Sequence, residues 1–224
     1  MENEFVMTLL DTGELCGQVF NYLDTESGGG PDEQAWAKIP HRDWIPAQVL
    51  QYGEELNGIL FSWRSRADGS GRPECFGRVE LLPLEEIYSD WSDELGLEAL
   101  PADDRLHHFK PVDLTNQMVY VGLYHDDARD PGLYLYQPGE GEAPYPLHVD
   151  LRGYVRLLAH SMGYAYWPFV LLELLPNDGR NPAYQLEPFT PDFRRDLEAW
   201  VPEFDYESFV ALYHEVKLPS APVA

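Results

Sequence analysis

Two strand-like runs around a turn constrain this chain more than any other feature. Ile59, Phe61 and Trp63 share one face of the first run, with Leu60, Ser62 and Arg64 on the other. Phe76 to Leu82 is the second run. Between them lies Asp68-Gly69-Ser70-Gly71-Arg72-Pro73, a turn composition, so the pair reads as a hairpin. Three more strands are predicted over 106–112, 117–124 and 132–137, the last two joined by the loop His125 to Pro131. Hairpins in series require antiparallel neighbours.

Helical spacing frames these strands. Phe5, Leu9, Cys16, Phe20 and Leu23 fall on one face of a first helix, weakened by Gly13 and Gly17. Gly28-Gly29-Gly30-Pro31 stops it and serves as a linker. Residues 1–30 therefore read as an N-terminal helical extension, and 31–224 as a single domain that includes the C-terminal helices. A second helix starts at Trp44-Ile45-Pro46 and ends near Gly53 or Asn57-Gly58. Pro83 opens a short helix with Leu84, Ile87 and Trp91 on one face, and 92–105 reads as irregular and acidic. Residues 138–146 form a Gly/Pro/Glu loop. Asp150 is placed to cap a helix carrying Leu151, Tyr154, Val155 and Leu158, which Gly163 ends. Thr190-Pro191 starts another with Phe193, Leu197 and Trp200 buried, and Asp205 caps a last one with Phe209, Leu212 and Tyr213. The order predicts α+β: a twisted, mainly antiparallel sheet packed by N- and C-terminal helices. Trp63, Leu81, Ile87, Trp91, Tyr154, Leu158 and Trp167 are its expected core.

Charge narrows the function classes. Fifteen basic residues stand against 39 acidic ones, a net charge of −24. Such a field repels nucleic acid and anionic membranes and attracts a basic protein partner. Two cysteines, Cys16 and Cys75, give no disulfide framework. The start Met1-Glu2-Asn3-Glu4-Phe5 lacks a basic region and apolar core, and no apolar run approaches ~18 residues, so a cytoplasmic location is expected.

The catalytic signals are weak on inspection. Ala159-His160-Ser161-Met162-Gly163 resembles a nucleophile elbow, with Asp178 or Asp196 and His214 following in the right order. Alanine replaces the first glycine, however, and the preceding residues read as a helix, where the elbow needs a strand. Ser161 is expected at a helix end and no catalytic residue is assigned, a serine hydrolase using Ser161 being the lesser alternative. His125, Asp126, Asp127 and Asp130 lack the ordered ligands of a calcium loop and read as a hairpin tip. His107 and His108, adjacent in a predicted strand, point to opposite faces. His148 and Asp150 share a face if extended, but capping explains Asp150 equally well. No metal site and no cofactor is expected.

Binding is assigned to loops, where recognition sits on a rigid scaffold. The candidates are Asp126, Asp127 and Asp130 at the hairpin tip, and Glu140 and Glu142 in the Gly/Pro loop. Tyr134 and Tyr136, on one face of their strand, are candidates for an exposed aromatic patch.

Several blocks carry a resemblance. Trp44-Ile45-Pro46-Ala47-Gln48-Val49-Leu50 is similar to a Leu-Pro-x-x-(aromatic) helix start, and Gly58-Ile59-Leu60-Phe61-Ser62-Trp63 to a Gly-plus-apolar strand. Gly77 through Trp91, with Leu82-Pro83-Leu84-Glu85-Glu86, resembles a strand running into a Leu-Pro-Leu-Glu-Glu helix that ends in Asp-Trp. Asp150 to Tyr154 through Tyr166-Trp167-Pro168-Phe169, and Pro202 to Phe209, resemble the later helices. Over residues 36–218 the chain resembles the SUKH superfamily, in particular its Smi/Knr cell-wall assembly regulator branch. The resemblance implies an α+β domain without shared catalytic residues. It also implies a binding role: a bacterial immunity protein that neutralises a toxin, often a nuclease, or a regulatory interaction scaffold.

Overall fold

A computed structural model describes residues 4–27, 37, 39–65, 71–116, 119–126, 128–138 and 143–219. Its elements follow the order α1 (Glu4–Val19), β1 (Asn21–Ser27), α2 (Ala47–Glu55), β2 (Ile59–Arg64), β3 (Phe76–Leu81) and α3 (Leu84–Ile87). Then come β4 (Phe109–Asn116), β5 (Val119–Tyr124), β6 (Tyr134–Tyr136), β7 (Tyr145–Pro146), α4 (Leu151–His160), α5 (Trp167–Glu173), α6 (Thr190–Trp200) and α7 (Tyr206–Val216). The strands form one antiparallel sheet in sequence order, β1 to β7. The protein is thus α+β, with helices at both ends of the chain. No helix among the described residues is long and apolar enough to cross a membrane.

The N-terminal segment differs from its expectation. The helix stops at Val19, and after Phe20 the seven residues Asn21–Ser27 become β1, paired with β2 from Asn21↔Arg64 to Ser27↔Ile59. After residue 20, Asn21 and Asp24 are poor helix formers, and Tyr22 and Thr25 favour a strand. At the turn between them, Phe20 stacks on Trp63 at 3.9 Å between centroids. Phe5, Leu9, Cys16 and Phe20 join the same core as the C-terminal helices. Residues 4–27 are therefore built into the fold, and the helix does not reach Leu23. The Gly28–Pro31 linker lies outside the described residues.

Proline shapes the centre of the sheet. Pro111 lies inside β4 but has no N–H to give, and the register slips there: Pro111 faces Gly122, whereas Asp113 faces Val121. The expected strand 106–112 is consequently displaced. Arg105–His108 is a short 3-10 turn capped by Asp104, whose Oδ1 accepts from the Leu106 N–H at 2.9 Å. The turn also removes His107 and His108 from any strand, and the His107 ring donates to Pro101 O. β3 and β4 meet through the single pair Leu81↔Asp113 and the bond from Leu82 N–H to Val112 O. Two tyrosines from the helical layer reinforce this junction. Tyr52 donates to Leu82 O at 3.0 Å, and Tyr154 to Asp113 Oδ2 at 2.6 Å.

All seven expected core residues are buried. Trp63 is central: its indole N–H donates to Met162 O at 2.6 Å, tying β2 to the turn after α4. That approach requires Gly77 on the neighbouring strand, where an added Cβ would lie 2.3 Å from the indole. Gly163, at φ 62°, lets the turn close against β3, and Gly77 and Tyr164 form an isolated bridge. Gly77→Ala should therefore destabilise the protein by about 1–3 kcal/mol through overpacking. Gly17→Ala, where an added Cβ meets nothing within 4 Å, should be neutral or stabilising by up to ~1 kcal/mol. Urea denaturation midpoints test the pair, and equal effects at both positions would contradict this packing.

Candidate functional site

Two of the hairpin-tip acids, Asp126 and Asp130, bond within the fold. Asp126 is 9% exposed; its Oδ2 accepts from Arg105 Nε at 2.7 Å and its Oδ1 from the Ala128 N–H. The same guanidinium lies 3.8 Å over the Tyr124 ring. Asp130 is half-buried, with Oδ1 accepting from the Gly132 N–H at 2.8 Å and Oδ2 from the Tyr134 hydroxyl. Asp127, Glu140 and Glu142 lie outside the described residues. His125 is not a surface ligand: it is buried and donates through Nε2 to Pro40 O at 2.9 Å.

The aromatic patch is corrected too. Tyr136 is buried at 8% exposure, its ring 5.7 Å from Phe109 and its hydroxyl directed to Leu95 O. β6 lies between β5 and β7, and β5 is buried at every position, so little of this part of the sheet reaches solvent. Tyr134 alone of the pair is half-buried at a surface, edge-on to Tyr124 at 4.9 Å.

Ser161 stands at the C-terminal cap of α4, fully buried, and donates to Leu158 O at 2.9 Å. A helix precedes it, and Asp196 is bound to Tyr164 and Arg195. This placement gives Ser161 no route to a substrate. Asp150 caps α4 through Oδ1 to the Gly153 N–H, and Asp205 caps α7 through Oδ2 to the Ser208 N–H. Among the described residues, no group of three or more His, Cys, Asp or Glu is placed to hold a metal ion.

Two surface features remain. The first is an acidic stretch from Glu85 to Asp103. Glu85, Glu86, Asp90, Asp93, Glu94, Glu98 and Asp103 are exposed, and no Lys or Arg occurs between Arg78 and Arg105. Local structure fixes where it begins. The side chain of Asn57 accepts from the Leu84 N–H at 2.8 Å and donates to Glu85 at 3.1 Å, holding the first turn of α3. Trp91 then anchors the far end, its indole donating to Glu86 O. Partial burial, with the carboxylates of Glu80 and Glu85 nearby, raises Glu86 above the ordinary carboxylate range. Lys110 is half-buried against the stretch and donates to Ser89 O.

The second is a groove of about 640 Å³ beside β7, at the end of the sheet. Asp130, Tyr134, Pro144, Tyr145, Pro146 and His148 line it, with Asp178, Arg180 and Leu218 at other walls. Tyr134 was found by strand alternation. Tyr145, His148, Asp178 and Arg180 were not, because they converge from segments far apart in sequence. The one local signal was Pro144-Tyr145-Pro146, a composition suited to a sheet edge.

Comparison with protein-family models, with curated proteins and with solved structures gives no match.

One buried acid gives a measurable pH dependence. Asp113 is 1% exposed, and beyond Tyr154 its Oδ1 has no partner in normal hydrogen-bond geometry. Burial lifts its pKa from 3.8 to about 7, against the opposing pull of the Tyr154 hydroxyl and the Glu80 backbone. The folded state then holds a proton that the unfolded chain has released, so this group favours folding at low pH. Its contribution declines from about pH 4 to 7, by on the order of 4 kcal/mol. Burial lowers the pKa of His125, His148 and His160, which gives the opposite slope below their ordinary value. The difference between wild type and Asp113→Asn separates the two effects. The wild type should lose stability relative to the variant as pH rises through this window, and parallel curves would contradict it.

Proposed function

We propose that this chain is a protein-binding domain, an immunity protein of the SUKH type that neutralises a basic toxin by covering its cationic surface. The observation that carries the reading is the exposed acidic stretch from Glu85 to Asp103, on a chain of net charge −24. A nuclease toxin needs a basic surface to hold phosphates, and an acidic cover competes for that surface while being steered onto it. The α+β architecture agrees with what the resemblance implies. So does β3, which runs through Pro83 into α3 and Trp91 along the most specific of the similar blocks.

A regulatory interaction scaffold of the Smi/Knr kind is the second reading. One observation favours it: α1 leaves Met7, Leu10 and Leu15 exposed, the kind of apolar face that a partner covers. Under that reading Met7→Glu and Leu10→Glu break the interaction, and high salt does not.

The test is growth. The open reading frame beside this gene is expressed in a host with and without this chain. Relief of growth arrest, with a complex of the two purified proteins, is the expected result. Arrest that persists at full expression of this chain would contradict the immunity reading.

A further inference from the structure

We propose that the groove beside β7 seats an arginine side chain of the basic protein partner, with Asp130 as its anion and Tyr134 and Tyr145 as its walls. This rests on the protein-binding reading and gives it a contact point.

Backbone direction sets the chemistry of the groove. Leu147 N–H bonds Leu133 O across to β6, and the register pairs Tyr145 with Leu135 and Pro146 with Tyr134. Alternation then turns the polar groups of Tyr145 toward β6 and those of Pro144 and Pro146 outward. Proline has no N–H, so this edge offers only carbonyl acceptors to the outside. An extended peptide cannot add to it as a further strand, because half of the ladder is missing.

The side chains repeat the pattern. The hydroxyl of Tyr134 is already donated to Asp130, and Asp178 stands near Tyr145, which leaves ring surface for contact. Asp178 is neutralised by Arg180 at 3.0 Å. Lys217 lies 5.6 Å over the Tyr213 ring, and the Arg105 guanidinium, which stands near Tyr134, is bound to Asp126. Among the described residues Asp130 forms no ion pair, and its two oxygens, which accept from the Gly132 N–H and the Tyr134 hydroxyl, keep further lone pairs. Carbonyls, a carboxylate and tyrosine rings together call for a ligand that is planar, cationic and rich in donors. A guanidinium meets all three demands, with five N–H groups and a face that stacks on aromatic rings. The volume of about 640 Å³ is in the range of sites that enclose such a group and its neighbours.

The probe is the peptide acetyl-Gly-Arg-Gly-amide, titrated into the full chain and followed by amide nitrogen–proton NMR. The control is the same peptide with citrulline, which keeps the shape and loses the charge. The arginine peptide should shift Tyr134, Tyr145 and His148 in a saturable way, and citrulline should bind about tenfold more weakly. Asp130→Asn, which keeps the acceptor for Gly132, should weaken arginine binding by a similar factor. Tyr145→Leu tests the opposite wall should Asp130→Asn disturb the fold. Equal binding of citrulline, or shifts confined to 85–103 and unchanged in both variants, would overturn the groove. The growth assay separates the two ideas. Protection that survives both groove variants removes the groove and keeps the immunity reading. Absence of protection by the wild type removes that reading whatever the peptide does.

Discussion

The sheet is narrowest between β3 and β4, and two tyrosine hydroxyls fasten the helical layer at that point. Between β3 and β4 the pair Leu81 with Asp113 and the bond from Leu82 N–H to Val112 O join one half of the sheet to the other. Pro111 has interrupted the ladder beside it, and Tyr52 from α2 and Tyr154 from α4 supply bonds the strands do not make. The acceptor of the second bond is a carboxyl group buried away from water, which stays protonated more readily than any surface acid. The helical layer therefore does more than cover the sheet: it is hydrogen-bonded to both sides of this junction. Trp63 performs the matching task on the other side, where its indole reaches Met162 and fixes α4 against β2 and β3.

This frame determines what can reach solvent. Because β5 and β6 are covered, the aromatic residues of the central strands serve the core, and Asp126 is bonded inward to Arg105 and the Ala128 amide, whereas Asp130 accepts from Gly132 and Tyr134 without an ion pair among the described residues. Charge available to a partner is left where elements are short and the chain turns often, from α3 to Asp103. There the backbone is held by Asn57 and Trp91, so the carboxylates need no partners of their own. The groove beside β7 arises from the same economy at the sheet's end, where two prolines terminate the ladder instead of extending it.

Features set by local sequence were legible. Asp150 and Asp205 cap the helices expected of them, Ser161 ends a helix, and the seven core residues lie on the faces their spacing assigned. Features set by distant partners were not. Leu23 continues a helical period by spacing alone, yet the free edge of β2 captures 21–27 as a strand. Tyr136 looks exposed from alternation, but alternation cannot say that both faces of β6 are packed. The acidity of 92–105 was visible, whereas its standing as a surface depended on knowing that Asp126 at the hairpin tip is bonded inward to Arg105. His148 and Asp178 meet only through the fold of the C-terminal third.

The central claim is that surface charge brings this protein to a basic partner. The most direct measurement is the association rate of the two purified proteins, by stopped flow, across ionic strength. The Debye length falls from ~10 Å at 0.1 M to ~3 Å at 1 M. Steering by the acidic surface requires the association rate to fall steeply over that range while dissociation changes little. An association rate that stays flat from low salt to 1 M would contradict the account.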